Sequence, residues 1–336
     1  MKIVVADSNL LPHRERFESQ LPSDSQVLWH SNFDEQALAA DITDAEVYVG
    51  GKFTSALASA AQRLRLVHVA GAGTDGVAFD ALAGDTLVAN TFHHERSIAE
   101  YVTSTAVVLR RGFLGQDRAL REGRWASPVY DTALKQPGTF GSATVGFVGF
   151  GHIGAQSWSL IKGFGCTGIA VTGSGSVDAH AHGLSWAGAI DRLDDLMTEA
   201  DIVVVSAPLN EGTAGMIGAV QLAALGAHGV LINVGRGPLV QQEALYDALA
   251  SGALGSAAID VWYDYPNSDG LGAPSAHPFH TLDNLVMTPH SSGITSETFE
   301  GRVDDITANI GRLVRAEPLS NLVTGQRLST SKVSAS

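Results

Sequence analysis

Two series of short apolar runs, separated by stretches of helical spacing, organise this chain. In the first series the runs cover residues 2–6, 27–29, 47–50, 64–70 and 87–89. Between them, alanine- and leucine-rich segments such as 33–40 and 54–62 place their apolar residues on one helix face. In the second series, runs at 145–149, 168–172, 201–207, 229–234, 257–261 and 285–288 alternate with helical stretches at 154–164, 193–199, 219–225 and 242–251. Runs that are apolar throughout belong to strands buried on both faces, and strand–helix alternation predicts parallel sheets covered by helices. The expected fold is therefore α/β, with two doubly wound parallel-sheet domains. Ligands of such sheets sit beyond the carboxyl ends of the strands, so the segments that follow each run carry the chemistry.

The first run of the second series leads into T-V-G-F-V-G-F-G-H-I-G, residues 144–154. Gly149, Gly151 and Gly154 stand in G-x-G-x-x-G spacing, with His152 and Ile153 between the last two. In a dinucleotide site Gly149 permits the tight turn, Gly151 lets the pyrophosphate approach the backbone, and Gly154 lets the next helix pack on the strand. The helix N-terminus then offers free N–H groups and a positive dipole end. A glycine-rich turn alone is common; on the first of six alternating strands it marks a dinucleotide-binding domain. An acidic residue about 20 positions on should hold the ribose 2′-hydroxyl of NAD. Here the second strand ends in T-G-S-G-S at 172–176, with no carboxylate before Asp178. Thr172, Ser174 and Ser176 offer hydroxyls to a 2′-phosphate, but no lysine or arginine is near. The cofactor is NADP(H) or NAD(H), with a slight lean to the former.

Other strand ends add candidates. Gly71-Ala72-Gly73-Thr74-Asp75 exposes backbone N–H groups in the manner of an anion nest. N-T-F-H-H-E-R-S-I-A-E, residues 90–100, gathers His93, His94 and Arg96 before a long helix at 99–109, with Ser97 and Glu100 as a capping box. Ala207-Pro208 follows the third strand of the second series, Val234-Gly235-Arg236-Gly237 the fourth, and Thr288-Pro289-His290 the sixth. The Arg236 fork suits a carboxylate plus a neighbouring carbonyl. His290 is a candidate acid/base. Residues 115–143 read as a crossover helix followed by an irregular loop.

Composition narrows the partners. At 45% hydrophobic and 17% charged, the 336 residues build ordinary cores. The net charge of −14 argues against nucleic acid and anionic membranes, and no apolar run is long enough to span a bilayer. A small anionic substrate then requires local concentration of the few positive groups. The single cysteine, Cys166, excludes an intrachain disulfide and fits a cytoplasmic setting. No metal site is expected.

Taken in order, G-x-G-x-x-G, I-N-V-G-R-G (232–237), A-I-D-V-W (258–262) and T-P-H-S-S-G (288–293) resemble the D-isomer-specific 2-hydroxyacid dehydrogenase family over nearly the whole chain. The resemblance implies a Rossmann-type cofactor domain, 100–294, inserted in a flavodoxin-like substrate domain formed by 1–99 and 295–330; the Ser/Thr-rich composition of the chain's end makes 331–336 a disordered tail. It also implies a homodimer through the cofactor domain. It makes Arg236 the substrate clamp and His290 the acid/base, and places Ala72 and Gly73 as backbone donors to the substrate carboxylate. Pro208 and Asp260 fall near the nicotinamide, with Ala207, Val234 and Gly235 beside them. Independently of the resemblance, the placement of His94 and Arg96 in a net-acidic chain would extend the anion site to a second acidic group. The family pairs the histidine with a glutamate, within D-V-F-x-x-E-P; here D-V-W-Y-D-Y-P puts Tyr265 in that place and Asp264 one residue early. Formate dehydrogenases of the family also lack the glutamate, and A-G-A-G-T-D-G resembles theirs, but they carry glutamine there and asparagine where this chain has His94. The expected function is hydride transfer between NAD(P)H and a 2-oxo acid or D-2-hydroxy acid. The alternatives are formate-like or phosphonate-substrate oxidation, and a weakly catalytic NAD(H)-binding sensor or corepressor of the same fold.

Overall fold

The computed structural model describes residues 1–267 and 269–323; the expected tail at 331–336 lies outside them. Contacts divide the chain into two units, residues 1–93 with the chain from Ile294 onward, and residues 94–293.

The first unit holds a five-stranded sheet, β1 (Lys2–Val5), β2 (Gln26–Trp29), β3 (Val47–Val49), β4 (Leu66–His68) and β5 (Leu87–Ala89), in the order β2-β1-β3-β4-β5. Every pairing is parallel, and the order is the flavodoxin-like one. The unbroken apolar runs follow from burial on both faces. Ile3 and Val5 point into a core with Val47, Val49 and Leu66. Val4 points the other way, into a core with Tyr48, Val67 and Val88. The first core is closed by the helix Ser296–Val314, whose Phe299, Val303, Ile306, Ile310 and Leu313 form an apolar stripe. Each such side chain contributes about 1.5–3 kcal/mol on burial. Thr295 caps this helix, its hydroxyl accepting from Thr298 N–H.

The second unit holds seven parallel strands, β6 (Thr144–Val148), β7 (Thr167–Thr172), β8 (Trp186–Ala189), β9 (Ile202–Val205), β10 (Val230–Asn233), β11 (Ser256–Ile259) and β12 (Leu285–Met287). Their order is β12-β11-β10-β9-β6-β7-β8. Six were expected; β8 was not, because W-A-G-A carries no sustained apolar run and forms a half-buried edge strand. The strand order reverses between β6 and β9, so the ligand crevice opens beyond the carboxyl ends of those two strands.

The helix Glu95–Arg110 belongs to this second unit. Its Ile98, Val102, Ala106 and Leu109 pack with Phe147, Ile161, Val204 and Ile232. The division between units thus falls at His93/His94, ahead of this helix. Ser97 does not cap it: the helix begins two residues earlier, with His94 at the N-cap position, and the Ser97 hydroxyl donates to the His94 carbonyl at 3.0 Å. Among the described residues no helix is long and apolar enough to cross a membrane, and no group of three His, Cys, Asp or Glu side chains could hold a metal.

Candidate active site

The three glycines after β6 have separable causes. Gly149 has φ 93°, and a Cβ there would stand 2.6 Å from Ala207 N, so the β6 and β9 ends could not meet with any other residue. Ser206 Oγ closes that contact, donating to the Gly149 carbonyl at 2.9 Å. A Cβ on Gly154 would meet the Gly149 carbonyl oxygen at 2.6 Å, so this glycine seats the helix His152–Ile161 on the turn. Gly151 faces open space. An unobstructed backbone at the N-cap of a helix that starts at a sheet's switch point is what a pyrophosphate requires. Ile153 packs back into the core, and His152 stands exposed at the helix start with Nδ1 3.5 Å from Glu95 Oε1.

At the end of β7, Thr172 Oγ1 accepts from Gly175 N–H at 3.1 Å, and the Ser174 and Ser176 hydroxyls bond each other at 2.7 Å. Asp178 is engaged as the N-cap of the helix Ala179–His182. Beside this loop runs β8, in register with β7 through Thr172 and Ala189. The segment after it carries Arg192, whose guanidinium lies 3.9 Å over the Trp186 ring and bonds Asp195 at 3.0 Å. This cation was invisible in the sequence because its strand was.

Arg236 follows β10 in a turn stapled by the buried Asn233, which accepts from Gly235 N–H at 3.1 Å and donates to the Arg236 carbonyl at 3.0 Å. Val234 and Gly235 are buried, and the Arg236 fork is half-buried. One of its Nη groups donates to the Gly235 carbonyl at 2.8 Å.

His290 sits in the turn after β12 with φ 58°, an uncommon conformation for a residue with a side chain. The turn is held by Asp260, which is 1% exposed at the end of β11. One carboxylate oxygen accepts from Thr288 Oγ1 at 2.6 Å and Ser291 N–H at 2.9 Å. The other accepts from the N–H and the hydroxyl of Ser292. Thr288 gives its one hydroxyl proton to the carboxylate, which leaves the Tyr101 hydroxyl, 3.0 Å away, to donate to Thr288. Asp260 is therefore a support of the histidine turn, with both oxygens engaged in it.

Tyr265 meets His290 directly, its hydroxyl 2.9 Å from Nδ1. Asp264 is exposed, and its backbone N–H donates to the Pro274 carbonyl at 3.0 Å. Burial pulls the His290 imidazole below its ordinary pKa; the Asp260 charge pushes it back up and the Arg236 charge adds to the lowering. Burial pushes the Tyr265 phenol up, keeping it neutral. His94 comes close to the far end of the histidine turn, where a Cβ on Gly293 would meet its Cβ at 3.2 Å. Arg96 does not join them: it is 83% exposed and paired with Glu100 one helical turn on.

In the first unit, the Gly71 carbonyl accepts from Thr91 N–H at 3.2 Å and the Ala72 carbonyl from the Asn90 amide at 2.8 Å. In a planar trans peptide the N–H opposes the C=O. Tying down these two carbonyls therefore turns the N–H groups of Ala72 and Gly73 to the opposite side of the loop.

Residues 103–292 match the model of the D-isomer specific 2-hydroxyacid dehydrogenase, NAD binding domain. The mitochondrial formate dehydrogenase of Solanum tuberosum is 32% identical over 77% of this chain and 67% of its own. The D-3-phosphoglycerate dehydrogenase of Methanocaldococcus jannaschii is 27% identical over 96% of this chain, which spans only 59% of that protein. The structure of an NADPH-dependent glyoxylate/hydroxypyruvate reductase from Sinorhizobium meliloti, in complex with citrate, has a TM-score of 0.77 at 25% identity, covering 96% of each chain. The chain belongs to the D-isomer-specific 2-hydroxyacid dehydrogenase family: it is an NAD(P)-dependent oxidoreductase.

Proposed function

We propose that this protein reduces a 2-oxo acid to the D-2-hydroxy acid, and runs the reverse oxidation, with His290 as acid/base and Arg236 as substrate clamp. The observation that carries the proposal is the His290 turn, held in a left-handed conformation by four hydrogen bonds to a buried carboxylate. Gly149, Gly151 and Gly154 would hold the pyrophosphate of the cofactor, Thr172 and Ser174 its ribose end, and Ala207, Pro208, Val234 and Gly235 its nicotinamide ring, which would supply or take up the hydride. The Arg236 fork holds the substrate anion and polarises its carbonyl, and the N–H groups of Ala72 and Gly73 bind the carboxylate. His290 Nε2 gives its proton to the carbonyl oxygen as the alkoxide forms. Tyr265 accepts from Nδ1–H both in the imidazolium and in the neutral ring left when Nε2 has given up its proton, so neither state leaves that nitrogen unpaired.

Initial rates with glyoxylate, pyruvate, hydroxypyruvate and oxaloacetate under saturating NADPH or NADH, and with formate under saturating NADP+ or NAD+, test this. Reduction of at least one 2-oxo acid is expected; formate oxidation alone would overturn it. Formate oxidation stays a second possibility for one reason: a neutral tyrosine on His290 suits a hydride transfer that needs no proton acceptor.

A cytoplasmic setting fits the single cysteine. Pairing with a second copy through the second unit is supported by the side chains exposed on its arm. Trp125, Val129 and Tyr130 are 64%, 79% and 69% exposed, in the segment after the helix Phe113–Arg121. A cavity of about 780 Å³ lies between that arm and the amino ends of the strands, at Asp201, Val230 and Ser256. Light scattering should give twice 35.1 kDa.

A further inference from the structure

The first unit places a cation against the Gly71–Gly73 loop that the sequence did not point to. Arg302 lies on the second turn of the helix Ser296–Val314. Its Nε donates to the Phe92 carbonyl at 3.0 Å, and its guanidinium carbon lies 4.9 Å over the ring of Phe299, which is buried. Held by one edge and one face, the fork brings Nη1 to 3.9 Å from the position a Cβ would take on Gly71. The side chain thus covers the start of the loop whose Ala72 and Gly73 N–H groups are turned away from Thr91 and Asn90. Two other charged groups share this end of the sheet. Lys52, after β3, stacks 4.5 Å over Phe33. Asp7, after β1, accepts from the Asn9 N–H and amide; burial pushes its carboxyl up, and the Arg302 charge acts in the opposite direction.

We infer that Arg302 is a specificity-determining residue that binds a second anionic group of the substrate, so that the preferred substrates are 2-oxo acids with a further carboxylate or phosphate. This rests on the 2-oxo acid reductase proposal above. A single carboxylate is already matched by the two N–H groups of the loop. A further half-buried guanidinium, in a chain of net charge −14, makes the site complementary to more than one negative charge. Arg96, the sequence's candidate for that role, is turned to solvent.

The test is steady-state kinetics of the full-length protein at saturating cofactor, with pyruvate and glyoxylate as monoanions, and oxaloacetate, 2-oxoglutarate and 3-phosphohydroxypyruvate as substrates with a second anionic group. The wild type should show kcat/KM at least tenfold higher for one of the latter group than for either monoanion; which one reports whether carboxylate or phosphate is preferred. Arg302→Gln should lower kcat/KM for that substrate at least tenfold more than for the monoanions, chiefly through KM, and Arg302→Lys should restore part of the difference. Thermal melting and quenching of NAD(P)H fluorescence show that each variant is folded and binds cofactor. Equal losses on all substrates would overturn the inference and leave Arg302 as a support of the Phe92 carbonyl, as would a wild type without the preference. Absence of turnover with every 2-oxo acid would instead refute the reductase proposal itself.

Discussion

Replacing Tyr265 by glutamate puts the charge that relatives carry beside the imidazole that this chain pairs with a neutral phenol. The hydroxyl now lies 2.9 Å from His290 Nδ1. The shorter glutamate would hold its carboxylate about 5 Å from the ring, and at an effective dielectric of about 40 the attraction is roughly 1.7 kcal/mol. The high dielectric is appropriate because Tyr265 is 55% exposed. Since about 1.4 kcal/mol corresponds to one pKa unit, Tyr265→Glu should raise the His290 pKa by about one unit. In the wild type that pKa is lowered from 6.5, first by burial. Reduction needs the imidazolium, so its kcat/KM falls as pH rises through the His290 pKa. In Tyr265→Glu this limb should move alkaline by about one pH unit, and the acid limb of the oxidation should move the same way. Tyr265→Phe separates hydrogen bond from charge and should move neither limb alkaline. The assay is the pH dependence of kcat/KM in both directions for the wild type and both variants. If Tyr265→Glu leaves the limbs in place while Asp264→Asn shifts them to acid, the partner of His290 is Asp264. If no variant moves them, His290 is not the titrating acid.

Three further outcomes are expected. Arg236→Lys loses the planar fork and should lower kcat/KM by about two orders of magnitude or more, while fluorescence titration shows cofactor binding intact; near-full activity would place the clamp elsewhere. Thr172→Asp sets a carboxylate at the ribose end and should shift the ratio of NADPH to NADH kcat/KM toward NADH, whereas Arg192→Ala should do so only if that guanidinium reaches a 2′-phosphate; an unchanged ratio in the Thr172 variant would remove this residue from the site. The buried His68 is held neutral, its pKa lowered to about 4 from 6.5 chiefly by burial, with the Asn309 amide 3.0 Å from Nε2 and the Val69 carbonyl 3.2 Å from Nδ1. The unfolded chain takes up this proton below 6.5 and the folded one does not, so this stability is present above pH 6.5 and is lost as pH falls toward 4, by up to about 3 kcal/mol. Urea unfolding between pH 4 and 7 should show the loss in the wild type and a flatter dependence in His68→Gln.

The parts of the fold legible in the sequence were those whose burial is symmetric. Strands such as I-V-V in β1 and I-V-V-V in β9 are covered on both faces and leave an unbroken apolar run. The edge strand β8 leaves none, and Arg192 was lost with it. The glycine turn was legible because Gly149 and Gly154 answer local steric demands that recur wherever a helix closes on a strand in this way. Tyr265 was legible as a departure from a spacing, and its bond to His290 is the contact that spacing implied. Side chains whose placement depends on distant partners left no local trace. Tyr101 reaches Thr288 across 187 residues, and Arg302 reaches Phe92 across 210. Arg96 is a different case: its neighbourhood in sequence is rich in polar groups, and the helix phase leaves its side chain 83% exposed beside Glu100.

The attachment of the histidine turn to Asp260 sets how often that turn can open. The amides of Ser291 and Ser292 lie outside any helix or strand, where exchange with solvent is usually fast. Both donate to a carboxylate that is 1% exposed, and they can be released only if that carboxylate is released with them. An unpaired anion buried at the end of β11 is costly enough that separating β11 from β12 is the easier route to opening. These two loop amides should therefore exchange at the rate of the neighbouring strands, and in the absence of any substrate. The His290 turn is then ordered once, during folding, and in the proposed reaction its own closure adds no step before proton transfer.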